Sequence, residues 1–415
     1  SDNIGVSKVI FFANNSNICD AITGQCEITS SPYRIRWDST SISYSVGVPI
    51  TAAVFDLAGN TKIFGISVTV DNVLPTVSIL TPAPSSYLKG TTTIDVFNSD
   101  TSGITRVVII IDSTQVASVI NPPSTYTFMW NTLSFSDGTH SIKAIAYDKA
   151  GNSNIHEIFV VVDNTPPAVS ISTPSPGSFT NADSIDIGAS ASDNILLDRV
   201  EFYIDGVLAG TDSTSPFSVV ANISLLSEGT HSITAVAFDV AGNNFTTPSP
   251  TTFIIDRTPP TVGFTTPTTG AVVQGTIIVT VAAADSNRVS SISITAGTIN
   301  LPSCTINASS GTCSRTWATS GDQNNVILTG IAQDIAGNQG VTQVVIMIDN
   351  LSPSVSVTSP TAGYVTCPTN TVLGASASDA NQITAVVIRL IDIPSSTELA
   401  SFTFSLSPTS PANVW

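Results

Sequence analysis

Aspartates at three recurring sequence positions are the residues of this chain whose type and spacing best suit a chemical role. The first position opens the motif Asp-x-Ala-Gly-Asn, at Asp56, Asp148, Asp239 and Asp334. The second ends an apolar run just before proline, at Asp71, Asp163, Asp256 and Asp349. The third closes a Ser/Ala-rich segment, at Asp2, Asp100, Asp193, Asp285 and Asp379. Carboxylates brought close together repel one another, and Ca²⁺ relieves that repulsion by taking about 6–8 oxygen ligands.

The three positions keep one period of about 93 residues, which indicates a tandem repeat. We predict three complete repeats, at 72–163, 164–256 and 257–349. Residues 1–71 form a partial repeat that lacks its first strands, and residues 350–415 form one that lacks its last strands. We interpret the 415 residues as a segment of a longer array. In the alternative, the partial repeats complete each other between molecules by strand donation, because incomplete sheets expose pairing edges.

Within a repeat, the local pattern predicts β-strands. Residues 199–206 alternate, so that Val200, Phe202 and Ile204 share one face before an Asp-Gly turn. Residues 231–238 are a second alternating segment rich in strand-forming residues. No window shows the capped apolar period of 3.6 that indicates a helix. About seven short strands per repeat predict an all-β fold, a tandem array of immunoglobulin-like antiparallel β-sandwiches of about 93 residues each.

The composition restricts the function. The chain has 13 Lys and Arg against 30 Asp and Glu, a net charge of −17 and a sequence pI of about 4.2. So acidic a chain is a poor ligand for nucleic acid or for an anionic membrane surface. Its longest apolar runs, such as 107–111, are far shorter than the roughly 18 residues of a membrane-spanning helix. We expect no nucleic-acid partner and no membrane span in this segment, and nothing at Ser1 resembles a signal peptide.

Three motifs recur together in the central repeats. They are Gly-Thr-His-Ser at 138–141 and 229–232, then Asp-x-Ala-Gly-Asn, then Asp-x-Thr-Pro-Pro. This combination resembles the bacterial and archaeal Ig-like repeats of surface proteins, including adhesin stalks, S-layer proteins and modules of extracellular polysaccharide hydrolases. The resemblance covers essentially the whole chain and implies an extracellular or cell-surface location. In some relatives the junctions between repeats bind calcium. The fourth repeat departs from the pattern, because it has a cysteine loop and no Gly-Thr-His-Ser.

The aspartates of adjacent repeats should meet at each junction. In such a sandwich, the loops after the second and sixth strands lie at the end where the chain enters, beside the linker aspartate. The calcium-binding sets that we predict are Asp71, Asp100 and Asp148; Asp163, Asp193 and Asp239; Asp256, Asp285 and Asp334; and a partial set of Asp349 and Asp379. Asn164, Asn194 and Asn243 could add amide oxygens to the second set.

Turn capping is the alternative explanation of these residues. Asp and Asn side chains accept hydrogen bonds from their own backbone, so Asp-x-Ala-Gly-Asn could be only a tight hairpin. We also expect Arg257 and Arg288 to pair with the third set and partly replace a cation there. The junction of Asp163, Asp193 and Asp239 is therefore the strongest predicted calcium site.

The cysteines and sequons favour an extracellular protein. Cys19 with Cys26 and Cys304 with Cys313 bracket short loops and predict two hairpin disulfides, with Cys367 left over. The alternative is that all five cysteines are reduced and buried. Glycosylation sequons lie at Asn14, Asn222, Asn244 and Asn307, and one at Asn350 falls in a proposed junction.

We predict no enzymatic activity. The acidic residues repeat with the fold, as structural positions do, and no histidine accompanies a Ser or Cys nucleophile motif. His140 and His231 occupy equivalent strand positions, which favours a structural role such as bonding a loop carbonyl.

The predicted function is that of a structural component of the cell exterior, a rigid rod within an S-layer, filament or adhesin stalk. Its partners would be copies of itself or other surface proteins, with glycans as further candidates. The first alternative is the spacer or binding region of a secreted polysaccharide-degrading enzyme. The second is an adhesin tip with exposed aromatic residues, for which Trp130 and Trp317 are the candidates, although core packing is favoured for both.

Overall fold

The computed structural model of the protein describes residues 5–363, 372–379, 383, 385–392 and 397–405. Within these ranges the secondary structure consists of 32 β-strands and one 3-10 turn. The chain divides into two compact units. One contains the described residues within 1–173, 186–219 and 233–250, and the other those within 174–185, 220–232 and 251–415. The boundaries of the five repeats stay a prediction.

Residues 5–71 form one antiparallel sheet in the first unit. Its strands are β1 (Val6–Ala13), β2 (Ser16–Ile18), β3 (Glu27–Ile28), β4 (Tyr44–Asp56) and β5 (Thr61–Asp71). β1 pairs with β2, β3 and β4, and β4 pairs with β5. Val9, Val48 and Ala53 are buried on this sheet, so the alternation of apolar residues fixes which face points inward.

The second repeat is a complete two-sheet sandwich. Its elements are β6 (Thr76–Thr81), β7 (Tyr87–Leu88), β8 (Thr91–Ser99), β9 (Ile104–Ile111), β10 (Thr114–Ile120), β11 (Thr125–Asn131), the 3-10 turn Thr132–Ser134, β12 (Gly138–Asp148) and β13 (Ser153–Val162). One sheet has the order β10-β9-β12-β13-β7, and the other has the order β11-β8-β6. Ile94, Ile109, Ile142 and Trp130 are buried between them. The prediction of an all-β sandwich is confirmed.

One strand pairing in this sandwich differs from the predicted antiparallel pattern. β7 pairs with β13 in parallel, with Tyr87 opposite Val161 and Leu88 opposite Val162. β6, which precedes it, pairs with β8 in the opposite sheet. The leading segment of the repeat therefore crosses from one sheet to the other, and its last residues cover the open edge of β13.

The third repeat contributes strands to both units. They are β14 (Ala168–Thr173), β15 (Ser178–Thr180), β16 (Ser184–Ser192), β17 (Leu197–Ile204), β18 (Val207–Asp212), β19 (Phe217–Asn222), β20 (Gly229–Asp239), β21 (Asn244–Thr246) and β22 (Thr251–Ile255). In the first unit, β14 pairs with β16, β17 pairs with β18 and β20, and β20 pairs with β21, all antiparallel. In the second unit, β15 pairs in parallel with β22.

The predicted strand of residues 199–206 is present as β17 and its turn. Val200, Phe202 and Ile204 are all buried. Asp205 and Gly206 follow with positive φ values of 48° and 78°, which two-residue hairpin turns require. Here the local sequence and the buried face agree.

The fourth repeat replaces several short strands with two long ones. Its strands are β23 (Thr261–Thr266), β24 (Val272–Val273), β25 (Thr276–Ala296), β26 (Ile299–Ala318), β27 (Gln323–Asp334) and β28 (Gln339–Ile348). β25 pairs with β23, β26 and β27, and its register shifts between Ala284 and Val289. β25 continues through this bulge, whereas the second and third repeats have a loop at the equivalent position. The prediction of about seven short strands is therefore wrong for the fourth repeat.

The described part of the fifth repeat contains two hairpin-like pairs. β29 (Ser354–Ser359) pairs with β30 (Gly374–Ser378), and β31 (Ala385–Asp392) pairs with β32 (Thr397–Ser405). Over the residues that the structure describes, no helix has the length and apolar character needed to cross a bilayer.

Candidate metal centre

Three groups of aspartates converge at the junctions between repeats. In each group, one carboxylate oxygen of every member lies within 4.8 Å of the others; the groups are Asp71, Asp100 and Asp148; Asp163, Asp193 and Asp239; and Asp256, Asp285 and Asp334. These are the three complete sets that the sequence predicted. We call them the first, second and third junction sets. The structure thus brings the predicted residues together, and whether a cation binds them stays a prediction.

Each set combines a linker aspartate with two aspartates of the following repeat. In the second set, Asp163 directly follows β13, Asp193 follows β16 and Asp239 ends β20. In the third set, Asp285 lies inside β25 at the register shift instead of in a separate loop. The convergence therefore comes from the topology of the sandwich, which returns the ends of these strands to the entry point of the chain.

The aspartate of Asp-x-Ala-Gly-Asn caps its own turn. Asp148 Oδ1 accepts from the backbone N–H groups of Gly151 (2.7 Å) and Asn152 (2.8 Å), and Oδ2 accepts from Asn152 Nδ2 (2.7 Å). Gly151 has a φ of 96°, a backbone conformation that favours glycine. Asp239 and Asp334 bind the asparagines of their own motifs in the same way. Asp148, Asp239 and Asp334 therefore each cap the turn of their own motif.

The asparagine of the motif also fixes the linker. The Nδ2 group of Asn152 donates to Asp71 O (3.1 Å), that of Asn243 to Asp163 O (2.9 Å), and that of Asn338 to Asp256 O (2.8 Å). Asn243 thus contributes a donor to the second set, and the predicted oxygen ligand from it stays a prediction. A hydrogen bond between the turn and the linker backbone holds each linker aspartate beside the following repeat.

The linker aspartates carry the strongest evidence for a ligand. In all three sets Oδ1 accepts from the backbone N–H two residues later, at 3.0 Å for Asp71, 3.3 Å for Asp163 and 3.2 Å for Asp256. Oδ2 of each is buried and has no hydrogen-bond partner among the described residues. The same holds for Oδ1 of Asp193. Asp163 and Asp256 are each 1% exposed, and Asp71 is 8% exposed. Burying an unpaired carboxylate oxygen is costly, and a bound cation removes that cost.

The electrostatics of the second and third sets follow from this burial. Burial raises the pKa of Asp163 to about 6, and the negative charges of Asp193, Asp239 and Asp137 add to the effect. Burial likewise raises the pKa of Asp256. Interactions with Asn287 and the Thr258 backbone offset part of this rise, and the charges of Asp285 and Asp334 add to it. Both carboxyls therefore keep their protons to a higher pH than an ordinary aspartate does, and a nearby positive charge would oppose this shift.

The other two asparagines of the predicted second set have defined hydrogen-bond partners, and an amide oxygen from Asn194 stays a prediction. Asn164 Oδ1 accepts from Gly90 N (2.8 Å) and Thr132 Oγ1 (3.0 Å), so its oxygen is engaged with the preceding repeat. Asn194 Nδ2 donates to Asp137 Oδ2 (3.0 Å).

The predicted pairing of Arg257 with the third set is wrong. Its guanidinium donates to the carbonyls of Ile223 (2.8 Å) and Leu226 (3.1 Å). The predicted partial replacement of a cation by Arg257 therefore does not occur. Arg288 approaches Asp285 through its backbone N–H, which donates to Oδ1 (3.2 Å).

The fourth junction resembles the others in part. Asp349 and Asp379 line a cavity of about 310 Å³ together with Asn350. Oδ1 of Asp349 is buried and has no hydrogen-bond partner among the described residues. The partial set that the sequence predicted is therefore brought to one cavity.

The predicted structural residues also have defined places. Disulfides join Cys19 to Cys26 and Cys304 to Cys313, whereas Cys367 lies outside the described residues, as do Asp2 and Trp415. The residues at four of the sequons, Asn14, Asn222, Asn244 and Asn307, are exposed. Their glycosylation stays a prediction.

The aromatic and histidine side chains are structural. Trp130 and Trp317 are buried in the cores of their repeats, at 2% and 7% exposure, and do not form an exposed binding surface. His140 Nε2 donates to Ser136 O (2.8 Å) and His231 Nε2 donates to Ser227 O (2.9 Å). The predicted bond from these histidines to a loop carbonyl is confirmed.

A fourth acidic position was missed by the sequence analysis. Asp137, Glu228 and Asp322 each directly precede a long central strand, β12, β20 or β27. They accept hydrogen bonds from the linker that follows. The signal was available, because these residues recur with nearly the period of the other aspartates.

Comparison with known proteins identifies the sequence family. The family described as Bacterial Ig domain matches residues 75–144, 167–235 and 260–329, about half of the chain. A second family, Bacterial Ig-like domain (group 3), matches residues 124–198. A search of the curated proteins gives no match.

Several solved structures show some similarity to this chain. The tetra-tandem repeat in the extending region of a large adhesion protein is 19% identical over 84% of this chain and 94% of its own length, with a TM-score of 0.31. A structure from a 1.5-MDa bacterial ice-binding adhesin is 18% identical over 67% and 98%, with a TM-score of 0.32. The fibronectin(III)-like modules of CbhA from Clostridium thermocellum are 22% identical over 43% and 93%, with a TM-score of 0.31. At these identities the similarity concerns the fold alone.

Proposed function

The chain belongs to the bacterial Ig domain family, and from this premise we propose that it is a non-catalytic structural component of the cell exterior. In this proposal the repeats form a stiff array within an S-layer, filament or adhesin stalk. Cations, with Ca²⁺ as the best candidate, bind at the junction sets. The buried, unpaired Oδ2 atoms of Asp71, Asp163 and Asp256 support the cation sites most directly.

The chemistry of the sets fits a hard divalent cation. Each set offers three carboxylates, and Ca²⁺ prefers oxygen ligands from carboxylates, carbonyls and water. The described residues supply no cysteine or histidine to these sets, so a softer metal such as Zn²⁺ fits less well. Bound at a junction, the cation would neutralise charges that belong to two repeats and thereby tie them together.

The linker itself favours stiffness. Two prolines, Pro166 and Pro167, follow Asp163 after Asn164 and Thr165. Proline restricts φ, which lowers the conformational freedom of the linker. The linker backbone is also hydrogen-bonded to Asn243 of the next repeat. A cation added to such a linker would limit bending further, which is the mechanical role that we propose.

Calorimetric titration of the full chain with Ca²⁺, supported by Tb³⁺ luminescence, tests the proposal. We expect three sites for the complete sets. Asp71→Asn, Asp163→Asn and Asp256→Asn should each remove one site or weaken it by at least about 10-fold, because each removes a buried ligand oxygen charge. Asp95→Asn is the control, because the carboxylate of Asp95 is already hydrogen-bonded by Thr81 and Thr127. Absence of binding at millimolar Ca²⁺ would exclude the cation sites.

A further inference from the structure

A carboxylate at the start of each central strand holds the linker that leaves the repeat. Asp137 accepts from Asn164 N (2.8 Å), Glu228 from Arg257 N (3.0 Å) and Asp322 from Asn350 N (2.9 Å). In every case the donor directly follows a linker aspartate, Asp163, Asp256 or Asp349. We call Asp137, Glu228 and Asp322 the clamp carboxylates.

Each clamp carboxylate makes a second bond to the linker. Thr165 Oγ1 donates to Asp137 Oδ2 (2.5 Å), Thr258 Oγ1 donates to Glu228 Oε2 (2.9 Å), and Leu351 N donates to Asp322 Oδ1 (3.1 Å). Two anchors on consecutive residues fix both the position and the direction of the linker. The preceding aspartate is then directed toward the following repeat, where one of its oxygens is buried: Oδ2 of Asp163 and of Asp256, and Oδ1 of Asp349.

Asp137 reaches the following repeat as well. Its Oδ2 accepts from Asn194 Nδ2 (3.0 Å), and Asn194 is the neighbour of Asp193. One carboxylate therefore restrains the segments of two members of the second junction set, Asp163 and Asp193. Asp137 is not itself a member of the second junction set.

The first junction provides a natural comparison. The residue that precedes its central strand β4 is Ser43, which carries no carboxylate. Here Asn72 N donates to the carbonyl oxygen of Ser43 (2.7 Å), and Asn72 Nδ2 donates to Ser39 O and Ile42 O. The linker is held in the same region, but by backbone acceptors.

We propose that Asp137, Glu228 and Asp322 are positioning residues for the junction cation sites: they hold the linker so that its aspartate presents an oxygen to the cation. The expected effect on cation affinity rests on the proposed cation sites. The restraint of the linker does not require a cation. Removing a clamp carboxylate should therefore loosen its junction whether or not a cation is bound.

The test compares Asp137→Ala and Asp137→Asn in the full chain. Both remove the negative charge, but asparagine keeps an oxygen that can accept from Asn164 N. Tb³⁺ titration should show one site weakened about 10-fold in Asp137→Ala and no more than about 3-fold in Asp137→Asn. Equal losses in the two variants would mean that charge alone acts, and would overturn the positioning role. Ser43→Ala is the matched control and should leave all sites unchanged, because the acceptor there is a backbone carbonyl.

A distance measurement separates this proposal from the cation sites. Spin labels at Gln115→Cys and Thr211→Cys, both exposed and on either side of the second junction, report its flexibility in a Cys367→Ser background. In chelator, Asp137→Ala should broaden the distance distribution, and Asp137→Asn should restore most of it. An unchanged distribution in Asp137→Ala would overturn the clamp. If the unsubstituted chain binds no Tb³⁺, the cation sites fail, while the distances still decide whether the clamp exists.

Discussion

The two oxygens of the linker aspartates Asp71, Asp163 and Asp256 have different environments. Oδ1 caps the backbone two residues later, whereas Oδ2 is buried among other carboxylates and is unpaired among the described residues. Capping explains the residue type at this position, but it uses only one oxygen. The other oxygen is the reason to expect a ligand, since an unpaired buried carboxylate oxygen is unfavourable.

The raised pKa of Asp163 predicts how stability depends on pH. A folded-state pKa of about 6, above the ordinary 3.8, means that folding favours the neutral acid. Stability from this group is full below pH 4 and is lost as the pH rises through 6, by at most about 3 kcal/mol. In chelator, denaturant unfolding should give this decline for the unsubstituted chain and a smaller one for Asp163→Asn. Calcium should reverse the decline at neutral pH. Identical pH profiles for the two proteins would contradict the prediction.

The histidine of the second repeat predicts a different pH effect. His140 is buried, which lowers its pKa, but bonds to Asp112 and Ser136 O outweigh burial, so the net pKa is raised. The charged form therefore stabilises the fold below pH 6.5, and this contribution is lost as the pH rises through the raised pKa. His140→Gln should reduce stability by about 1–3 kcal/mol at pH 6 and by less at pH 8. Urea unfolding at both values checks this, and an equal loss at both would count against it.

At the scale of elements, close backbone approach fixes the linker against the last strand of the following repeat. Gly340 in β28 lies so near the carbonyl of Pro260 that a Cβ would overlap its oxygen. Gly340 is buried and has no unusual φ, so the constraint is space and not backbone conformation. Only glycine allows the linker to pack here.

Gly340→Ala should destabilise the fourth repeat by about 1–3 kcal/mol, because the linker must move to accept the methyl group. Gly263→Ala is the matched control. It lies in β23 of the same repeat, and an added Cβ there meets nothing within 4 Å. Thermal unfolding should show a lower Tm for the first variant and an unchanged or higher Tm for the second. Equal shifts would show that the contact with Pro260 is unimportant.

The sequence was informative where one strand face and one turn decide the local structure. The alternation around Phe202 and the Asp-Gly turn at 205–206 suffice to place β17, because buried and exposed positions alternate with the strand period. The parallel pairing of β7 with β13 was not predictable in this way, since side-chain alternation does not specify which edge a short segment joins. The fusion of strands in β25 depends on a bulge that the apolar pattern does not mark.

The candidate site was predictable to a similar extent. Repetition and topology were enough to group Asp163, Asp193 and Asp239, because each position is tied to a strand end. The roles of Asn164 and Arg257 were not, since a flexible amide or guanidinium can face either repeat and only the packing selects one. Asp137 was missed because its role depends on a linker 27 residues away in sequence.

At the scale of the whole molecule, each junction couples two repeats through one linker. Asn243 and Asp239 of the third repeat meet Asp163 of the linker, which follows β13 of the second. Repeat arrays of this kind have stabilities that combine the repeats with their nearest-neighbour interfaces. A cation bound at a junction would stabilise the interface between the two repeats and would leave the intrinsic stability of each repeat unchanged.

Differential scanning calorimetry checks this coupling. In chelator we expect several overlapping transitions, since the repeats unfold with little cooperation. With saturating Ca²⁺ the transitions should move to higher temperature and merge, because a ligand that binds only the folded junction stabilises both of its repeats. Mg²⁺, which prefers octahedral geometry and retains its water, should have a smaller effect. A single unfolding transition whose temperature neither Ca²⁺ nor Mg²⁺ changes would contradict the coupling.

The short parallel strand at the edge of each complete repeat bears on how the protein is made. β7 lies beside β13, β15 beside β22 and β24 beside β28. Adjacent repeats joined by a linker have an effective local concentration in the millimolar range. An exposed strand edge would let a nascent repeat exchange segments with the repeat before it. Because each repeat begins with the residues that later seal its own final strand, a newly synthesised repeat can close upon itself before its successor leaves the ribosome.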